Sequence, residues 1–485
     1  MLSGSSFSEL NNEIEQTRDI RRMKLSLAQI GQAMQAVGDY ENSQDLIATR
    51  VQTDSRVVQP GDLFVCIPGQ RFDGHNFARE AVHKGALAVV VERPLLDLSS
   101  EVPMLLVQDS IAALADLAAF WRAQFQGLVI AVTGTAGKTS VKEMIASVLE
   151  QGAHVGKNYK NWNNKLGVSL SILGMHGRED YWVLEAGVSE TGEMEALAAI
   201  LAPDVAMIVN VGPAHLQGLS SVHGVAREKA RLVMTVPARG VAVINRDYPE
   251  LMQAISEQKG IPVITFSSQA DAGADCFLVQ EQADPGTGYT VHLRCQETRI
   301  ELHLPAGRSW IGENVLAAAC ITRYLGCPPE DIQAGLKRVC LPEHRGQMIE
   351  CGRMTIIDDC YNANPLSMHW ALNWARGKAG TSPLILVLGE MKELGERAEA
   401  CHQELGGWAA CTRAAHVFYF GDYEPAFRKG FDQAGGAGLT HVPNETEFLR
   451  EWRKLGVKSG LVLVKGSRGC ALERFVSLLQ QEFRA

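Results

Sequence analysis

The stretch Leu128-Val-Ile-Ala-Val-Thr-Gly-Thr-Ala-Gly-Lys-Thr-Ser140 decides the fold of the central part of this chain. Its apolar first five residues predict a buried strand, and a helix is predicted from Val141 to Glu150. A strand that leads through a glycine loop into a helix is the order that phosphate-binding loops require. Val132 stands where the full loop pattern has its first glycine, so the match is incomplete. The order of elements still predicts a nucleotide phosphate site.

The chemistry of this loop explains why its residue types matter. Gly134 and Gly137 allow backbone N–H groups to face phosphate oxygens, and the helix N-terminus adds its positive pole. Lys138 is expected to reach the β- and γ-phosphates, and Thr139 to offer its hydroxyl to Mg²⁺. The predicted ATP-binding loop consists of Gly134, Thr135, Ala136, Gly137, Lys138, Thr139 and Ser140.

Bulk composition limits the classes of function. The 485 residues are 46% hydrophobic and 21% charged, which is typical of a soluble multidomain protein. A net charge of -9 without a long basic run argues against nucleic acid as a partner. The eleven cysteines show no Cys-x-x-Cys spacing, so we expect a reduced, cytoplasmic setting. No apolar run approaches the ~20 residues of a membrane helix, so membrane insertion is not expected.

Apolar runs alternate with helical patterns along most of the chain. This alternation predicts an α/β fold with a mostly parallel central sheet that is covered by helices. Residues 275–305 alternate polar and apolar side chains and predict a small antiparallel hairpin. We predict a flexible tail over residues 1–22 and domains over 23–125, 126–342 and 343–485.

Several polar residues stand at predicted strand ends. Glu185 is well placed there to bind Mg²⁺, although glutamates at strand ends are common. His215 follows another strand, and an isolated histidine is usually structural. Lys229, taken alone, is a surface lysine of a helix. Asp359 begins a polar turn that reaches Pro365, where α/β proteins place ligand contacts, but a plain turn stopped by Asn-Pro is the alternative.

Together these segments resemble the Mur ligases. The resemblance in the first domain rests on Thr53-Asp-Ser-Arg56, Gly61-Asp-Leu-Phe64 and Asp73-Gly-His75, and in the central domain on Asn161-Trp-Asn-Asn164. Three further segments resemble the branch of the family that adds D-alanyl-D-alanine: Asp358-Asp-Cys-Tyr-Asn-Ala-Asn-Pro-Leu-Ser-Met368, Leu388-Gly-Glu-Met-Lys-Glu-Leu-Gly395 and Lys465-Gly-Ser-Arg468.

The resemblance implies three domains and a reaction. An N-terminal domain would bind UDP-MurNAc-peptide, a central domain would bind ATP, and a C-terminal Rossmann-like domain would help to bind ATP and the dipeptide. The tripeptide carboxylate would attack the γ-phosphate of ATP, and the amine of D-Ala-D-Ala would then attack the acyl phosphate. ATP and Mg²⁺ are the implied cofactors, the substrates are small molecules, and the enzymes of this family look monomeric.

The resemblance also implies roles for individual residues. The implied Mg²⁺ ligands are Thr139, Glu185, His215 and a carbamylated Lys229. The implied catalytic residues are Lys138, Lys229, His215 and Arg345, an arginine that swings onto the phosphates. Asn314, Arg345, Asp359 and Asn362 would contact the nucleotide, although the family's usual His-Asn is missing before Asn314. The implied substrate contacts are Ser55, Arg56, Asp73, His75, Asn163, Asn164, Tyr361, Asn364, Lys465 and Ser467.

Three alternatives stay open. A ligase that adds a diamino acid and a folylpolyglutamate synthetase share the loop and the lysine, but neither is expected to show Tyr361-Asn-Ala-Asn-Pro365. A nucleotide-binding regulator without catalysis is the third. The presence of Lys138, Thr139, Glu185, His215 and Lys229 argues against it.

Overall fold

The structure is a computed structural model that describes residues 23–38, 40, 43–69, 71–95, 98, 102–258, 260–270, 273–284, 288–306 and 311–484. The predicted tail over residues 1–22 lies outside these ranges. The chain forms two compact units. The first combines the residues up to 131 with Ala153–Ala186 and Glu195–Asp204, and the second contains the remainder.

The first unit contains a small parallel sheet. Its four strands, in the order β3-β4-β5-β6, are Arg50–Gln52, Asp62–Val65, Ala88–Val91 and Met104–Leu106. An antiparallel pair precedes it, β1 (Leu25–Ser26) with β2 (Ile47–Ala48). The helices are α1 (Leu27–Ala33), α2 (Ala78–His83) and α3 (Ser110–Gln124). Capping sets the starts of α1 and α3, because Ser26 and Asp109 accept hydrogen bonds from the N–H groups of Gln29 and Ala112.

Strand β7 (Leu128–Thr133) contributes residues to both units. After it, the first unit holds β8 (Val155–Lys157), paired in parallel with β9 (Tyr181–Glu185). Helix α4 (Lys138–Leu149) lies in the second unit, helix α5 (Lys165–Leu173) in the first, and α6 (Glu193–Leu201) begins at the boundary.

The second unit continues with parallel strands and then a meander. Strands β10 (Val205–Ile208), β11 (Val241–Asn245) and β12 (Val263–Ser267) pair in parallel. Strands β13 (Cys276–Asp284), β14 (Gly288–Cys295) and β15 (Thr298–Pro305) pair antiparallel, so the region has one strand more than the predicted antiparallel hairpin. The helices are α7 (Leu216–Leu219), α8 (Val222–Ala230), α9 (Pro249–Ser256), α10 (Gly312–Tyr324) and α11 (Pro329–Arg338).

A six-stranded sheet in the order β16-β17-β21-β18-β19-β20 follows. Its strands are Gln347–Cys351, Met354–Asp358, Leu384–Gly389, His416–Phe420, Leu439–His441 and Gly460–Lys465, numbered β16 to β21 in chain order. Only β16 runs antiparallel. Its helices are α12 (Pro365–Ala379), α13 (Ala398–Cys411), α14 (Glu424–Gln433), α15 (Glu445–Leu455) and α16 (Glu473–Arg484).

Both faces of this last sheet are buried. Along β18, Leu386 and Leu388 join one apolar cluster, whereas Ile385 and Val387 join another. Parallel strands between two helical layers show such continuous apolar runs. None of the helices in the described ranges has the length and apolar character that crossing a bilayer would need.

Candidate functional site

One asparagine side chain binds two backbone N–H groups of the glycine loop between β7 and α4. Asn210, just after β10, accepts hydrogen bonds through its Oδ1 atom from the backbone N–H groups of Thr135 and Ala136, at 3.0 and 2.8 Å. Gly137 has a φ of 78° at the N-terminus of α4. A Cβ there would lie 2.2 Å from Oδ1 of Asn314, so both the backbone and the space require glycine. The loop therefore has a fixed shape.

Lys138 and Thr139 are the first two residues of α4, which begins three residues earlier than the predicted start at Val141. The amine of Lys138 donates to the carbonyl oxygens of Gly134 at 2.8 Å and Thr135 at 3.4 Å, so it lies over the loop. Thr139 is only 1% exposed. Ser140 follows within the first turn of the helix.

A buried glutamate was missed by the sequence reasoning. Glu313, at the start of α10, accepts from Asn210 Nδ2 at 2.9 Å and from the Tyr248 hydroxyl at 3.0 Å. Burial raises the pKa of its carboxyl group to about 7. Because Asn210 also holds the loop, Glu313 is two hydrogen bonds away from the loop backbone. The only signal for it was a lone acidic residue at the start of an otherwise apolar helix.

The neighbouring Asn314 is also buried, at 5% exposure. Its Oδ1 atom has no hydrogen-bond partner within the described ranges. Asn314 lies against the backbone of Gly137, so this residue, which was predicted to contact the nucleotide, borders the glycine loop.

In the first unit, Glu185 ends β9 and is 1% exposed. Its Oε1 atom accepts from the side-chain amide of Asn163 at 2.6 Å, which brings two predicted site residues together. Asn158, which was not predicted, exchanges hydrogen bonds with the backbone of Glu185 at 3.0 and 3.1 Å. Asn164 caps α5 by accepting from the N–H of Gly167. A capping role explains Asn164 without a substrate.

His215 lies at the start of α7 in a left-handed conformation, with a φ of 51°. Its Nδ1 atom lies 2.5 Å from Oε2 of Glu393, which belongs to the segment between β18 and α13. This contact holds the pKa of Glu393 below its usual value. Lys229, on α8, is 1% exposed, so it is not the surface lysine that the helix alone suggested.

A polar cluster forms at the carboxyl ends of β17 and β21. The Lys465 amine lies 2.6 Å from Oδ2 of Asp359 and 3.2 Å from the carbonyl oxygen of Asn362. The Ser467 hydroxyl donates to the carbonyl of Ala363 and accepts from the N–H of Lys392. Four predicted site residues thus lie together.

Asn364 connects this cluster to the glycine loop. Its side chain accepts from the N–H of Ser367, and its amide donates to the carbonyl of Thr135 at 3.2 Å. Asn364 and Pro365 begin α12 in a capping box. The alternative of a plain turn stopped by Asn-Pro is therefore wrong, because this pair begins a helix and proline fits the first helical position.

Arg345 lies with its guanidinium carbon 4.0 Å from the ring centre of Tyr361. Its Nε atom is buried and has no hydrogen-bond partner among the described residues. A cation–π contact of this kind is worth roughly 1–2 kcal/mol. Moving Arg345 off the ring therefore costs less free energy than breaking a buried ion pair would.

The predicted substrate residues of the N-terminal domain are engaged locally. Ser55 donates to Glu80 at 2.7 Å, and Arg56 pairs with Asp54 at 2.6 Å. His75 receives the N–H of Glu92 on Nε2 and lies 2.6 Å from Asp73 through Nδ1. Both ring nitrogens of His75 are therefore used within the fold.

Asp73 also accepts from Arg93, at 2.6 Å. This hydrogen bond is the main reason why the pKa of Asp73 lies well below its usual value. Asp73 is therefore a fixed anion that orders the loop after β4, and the Arg56 side chain, which is 60% exposed, is held by Asp54.

Comparisons with known proteins agree with this arrangement. Three family models match in succession: "Mur ligase family, catalytic domain" over residues 48–122, "Mur ligase middle domain" over 132–322, and "Mur ligase, glutamate ligase domain" over 344–468. UDP-N-acetylmuramoyl-tripeptide–D-alanyl-D-alanine ligase of Escherichia coli (strain K12) is 34% identical over 441 residues, which are 90% of this chain and 95% of that protein.

Solved structures give the same result. The crystal structure of MurF from Acinetobacter baumannii is 29% identical, with a TM-score of 0.86 over 95% of this chain and all of that one. The MurF ligase from Thermotoga maritima in complex with ADP is 29% identical, with a TM-score of 0.79 over 90% of this chain and 98% of that one. With its three successive domain matches and its α/β sheets, the chain belongs to the Mur ligase family.

Proposed function

We propose that this protein joins D-alanyl-D-alanine to UDP-MurNAc-tripeptide with ATP, releasing ADP and phosphate in peptidoglycan precursor synthesis. The observation that carries the proposal is the hydrogen bond from Asn364 to the carbonyl of Thr135. It places the segment that resembles the D-alanyl-D-alanine-adding branch directly against the loop that fits ATP. The names of the E. coli relative and of the MurF neighbours support the same substrates.

The chain's own groups account for the first half of the reaction. The N–H groups of the loop, the pole of α4 and the Lys138 amine supply positive charge where phosphate oxygens gather. The tripeptide carboxylate attacks the γ-phosphorus, the bond to the β,γ-bridging oxygen breaks, and ADP leaves. To take part, the Lys138 amine must exchange its two carbonyl partners for phosphate oxygens.

The second half of the reaction depends mainly on how the two reacting groups are positioned. The amine of D-Ala-D-Ala attacks the acyl phosphate carbonyl, loses a proton, and expels inorganic phosphate. Arg345 is free of ion pairs within the described part of the chain and rests on an aromatic ring, so we propose that it moves onto the phosphates. Lys465 and Ser467 border the strand ends where the dipeptide is proposed to bind.

Mg²⁺ fits the residues assigned to it by the resemblance. Thr139 and Glu185 offer oxygen donors, which this ion prefers, and both are 1% exposed. Lys229 is 1% exposed, and carbamylation would turn its amine into an anion that suits a cation. We propose Thr139, Glu185, His215 and carbamylated Lys229 as the holders of Mg²⁺, which would neutralise phosphate charge.

One assay tests the proposal. The protein is incubated with ATP, Mg²⁺ and UDP-MurNAc-tripeptide, together with D-Ala-D-Ala, a diamino acid, or glutamate with a folate. We expect phosphate release and a product of the pentapeptide mass only with D-Ala-D-Ala. Product with another acceptor, or none at all, would refute the assignment.

Lys138→Ala serves as the matched control. We expect at least a hundredfold loss of phosphate release with an unchanged circular dichroism spectrum. Retained turnover would show that the loop is not the ATP site. Light scattering during gel filtration tests the proposed monomer, and cell fractionation tests the proposed cytoplasmic location.

A further inference from the structure

The side chains of a histidine, an aspartate and a cysteine lie close together at the end of β17. Nδ1 of His344 lies 2.7 Å from Oδ2 of Asp358, and the Cys360 thiol donates to Oδ1 of the same carboxylate at 2.9 Å. One donor atom from each residue lies within 4.8 Å of the others. Asp358 and Cys360 are buried, whereas the His344 side chain is 30% exposed, which leaves a route from solvent.

The backbone holds this cluster in an unusual conformation. His344 has a φ of 61°, a region that favours glycine. Its carbonyl oxygen accepts from the N–H of Tyr361 at 3.1 Å, which ties the residue to the segment after β17. Strained residues of this kind concentrate at binding sites.

A second carboxylate, that of Glu473 at the start of α16, lies within electrostatic reach of His344 and Cys360. Glu473 accepts from Arg468 through Oε1 at 2.8 Å, so its charge is already paired. The cluster itself combines one carboxylate with a thiol that becomes an anion when it binds a metal ion, and a divalent cation would neutralise this donor set.

We propose that His344, Asp358 and Cys360 bind a borderline-soft divalent cation of the Zn²⁺ class as its three protein ligands. Zn²⁺ accepts nitrogen, oxygen and sulfur donors together, in tetrahedral geometry. Mg²⁺ is not suited, because it prefers an all-oxygen shell. The site is distinct from the residues proposed for Mg²⁺ and does not depend on the proposed reaction.

The geometry requires only a small adjustment. Bonds of about 2.0–2.3 Å to a tetrahedral ion separate its ligand atoms by about 3.5 Å. One donor atom from each of the three residues lies within 4.8 Å of the others, so each separation would change by no more than about 1.3 Å. Binding replaces the thiol proton by the metal ion and releases that proton to the buffer, so affinity should rise about tenfold per pH unit.

Co²⁺ is the probe, because thiolate ligation gives it a charge-transfer absorption in the near ultraviolet that oxygen ligands do not give. With the full-length protein we expect one equivalent of Co²⁺ to produce this band and tetrahedral visible bands, and Zn²⁺ to displace it. No charge-transfer band up to millimolar Co²⁺ would overturn the proposal.

Cys360→Ser should lose the charge-transfer band while its thermal unfolding without metal stays the same. Cys340→Ser and Cys411→Ser are the matched controls, because both thiols are exposed and should be irrelevant. A band that survives in Cys360→Ser, or disappears in a control, would assign the metal to another thiol. If Cys360→Ser does not fold, His344→Gln gives the answer by an expected loss of at least tenfold in Co²⁺ affinity.

Discussion

Replacing Glu313 by glutamine should remove a pH dependence from the stability of the ATP-loop region. The carboxyl group is nearly fully buried, and its pKa is about 7 instead of 4.5. Burial is the main cause, and nearby Asp247 adds to it. The hydrogen bonds from Asn210 and Tyr248 act in the opposite direction but do not outweigh burial, so the folded protein keeps this proton more strongly than the unfolded chain does.

The direction of this pH dependence follows from the number of protons that Glu313 binds in the native and in the unfolded state. Between pH 4.5 and 7 the native state holds one more proton at Glu313 than the unfolded state, so this group lowers stability as pH rises. Below pH 4.5 and above pH 7 its contribution is constant. The difference between the two pKa values corresponds to roughly 3 kcal/mol.

Glutamine keeps the shape and has no charge to bury. Its oxygen can still accept from Asn210, while its amide faces the Tyr248 hydroxyl as a donor. We expect wild type and Glu313→Gln to unfold at similar temperatures at pH 5. At pH 8 the variant should be more stable by up to roughly 3 kcal/mol, which is roughly 6–12 °C for a cooperative region of 150–250 residues.

Differential scanning calorimetry at pH 5, 6, 7 and 8 measures this directly. Asp247→Asn is the companion variant, because it removes the neighbouring charge and should lower the pKa of Glu313. Parallel pH profiles for wild type and Glu313→Gln would refute the reasoning, since they would mean that the carboxyl group does not titrate in this range.

Other substitutions test other contacts. Gly137→Ala should cost roughly 1–3 kcal/mol of stability and abolish ATP binding in calorimetric titration, because its φ is positive and an amide oxygen fills the space; Gly152→Ala, with open space around it, should do neither. Glu393→Gln should lower stability at pH 7 by less than about 1 kcal/mol, because the pair with His215 is partly exposed. This loss should vanish as pH falls through the lowered pKa of Glu393, and an equal loss at pH 4 would contradict the pairing. Arg345→Lys should reduce kcat at least tenfold while the KM for ATP changes little, because lysine cannot reproduce the flat contact with the ring or a forked grip on phosphate; a rise in KM alone would argue for a ground-state role.

Much of the fold could be predicted because its strands are apolar on both faces. The apolar run at Leu128–Val132 leaves little ambiguity, and the observed β7 extends it by one residue, to Thr133. Strand β16 was not predicted, because Gln347 to Cys351 mixes exposed and half-buried side chains at the edge of its sheet. Edge strands lack the apolar pattern on which such a prediction depends.

The site could be predicted only where function follows from a local motif. The glycine loop and the Tyr361–Pro365 segment are contiguous, so sequence reveals them. Asn210 and Glu313 act through a hydrogen bond between residues 103 positions apart, and no local pattern marks either. Their roles depend on which strand ends the fold brings together.

The bond between Asn364 and the Thr135 carbonyl has a consequence for synthesis on the ribosome. The two residues are 229 positions apart. At about 5–20 residues per second, Asn364 is made roughly 10–45 s after the glycine loop. Asn210 is made 75 residues after Thr135, so for the rest of that interval the loop has Asn210 but not Asn364. The contact from the C-terminal sheet region can therefore reach the loop only late in translation.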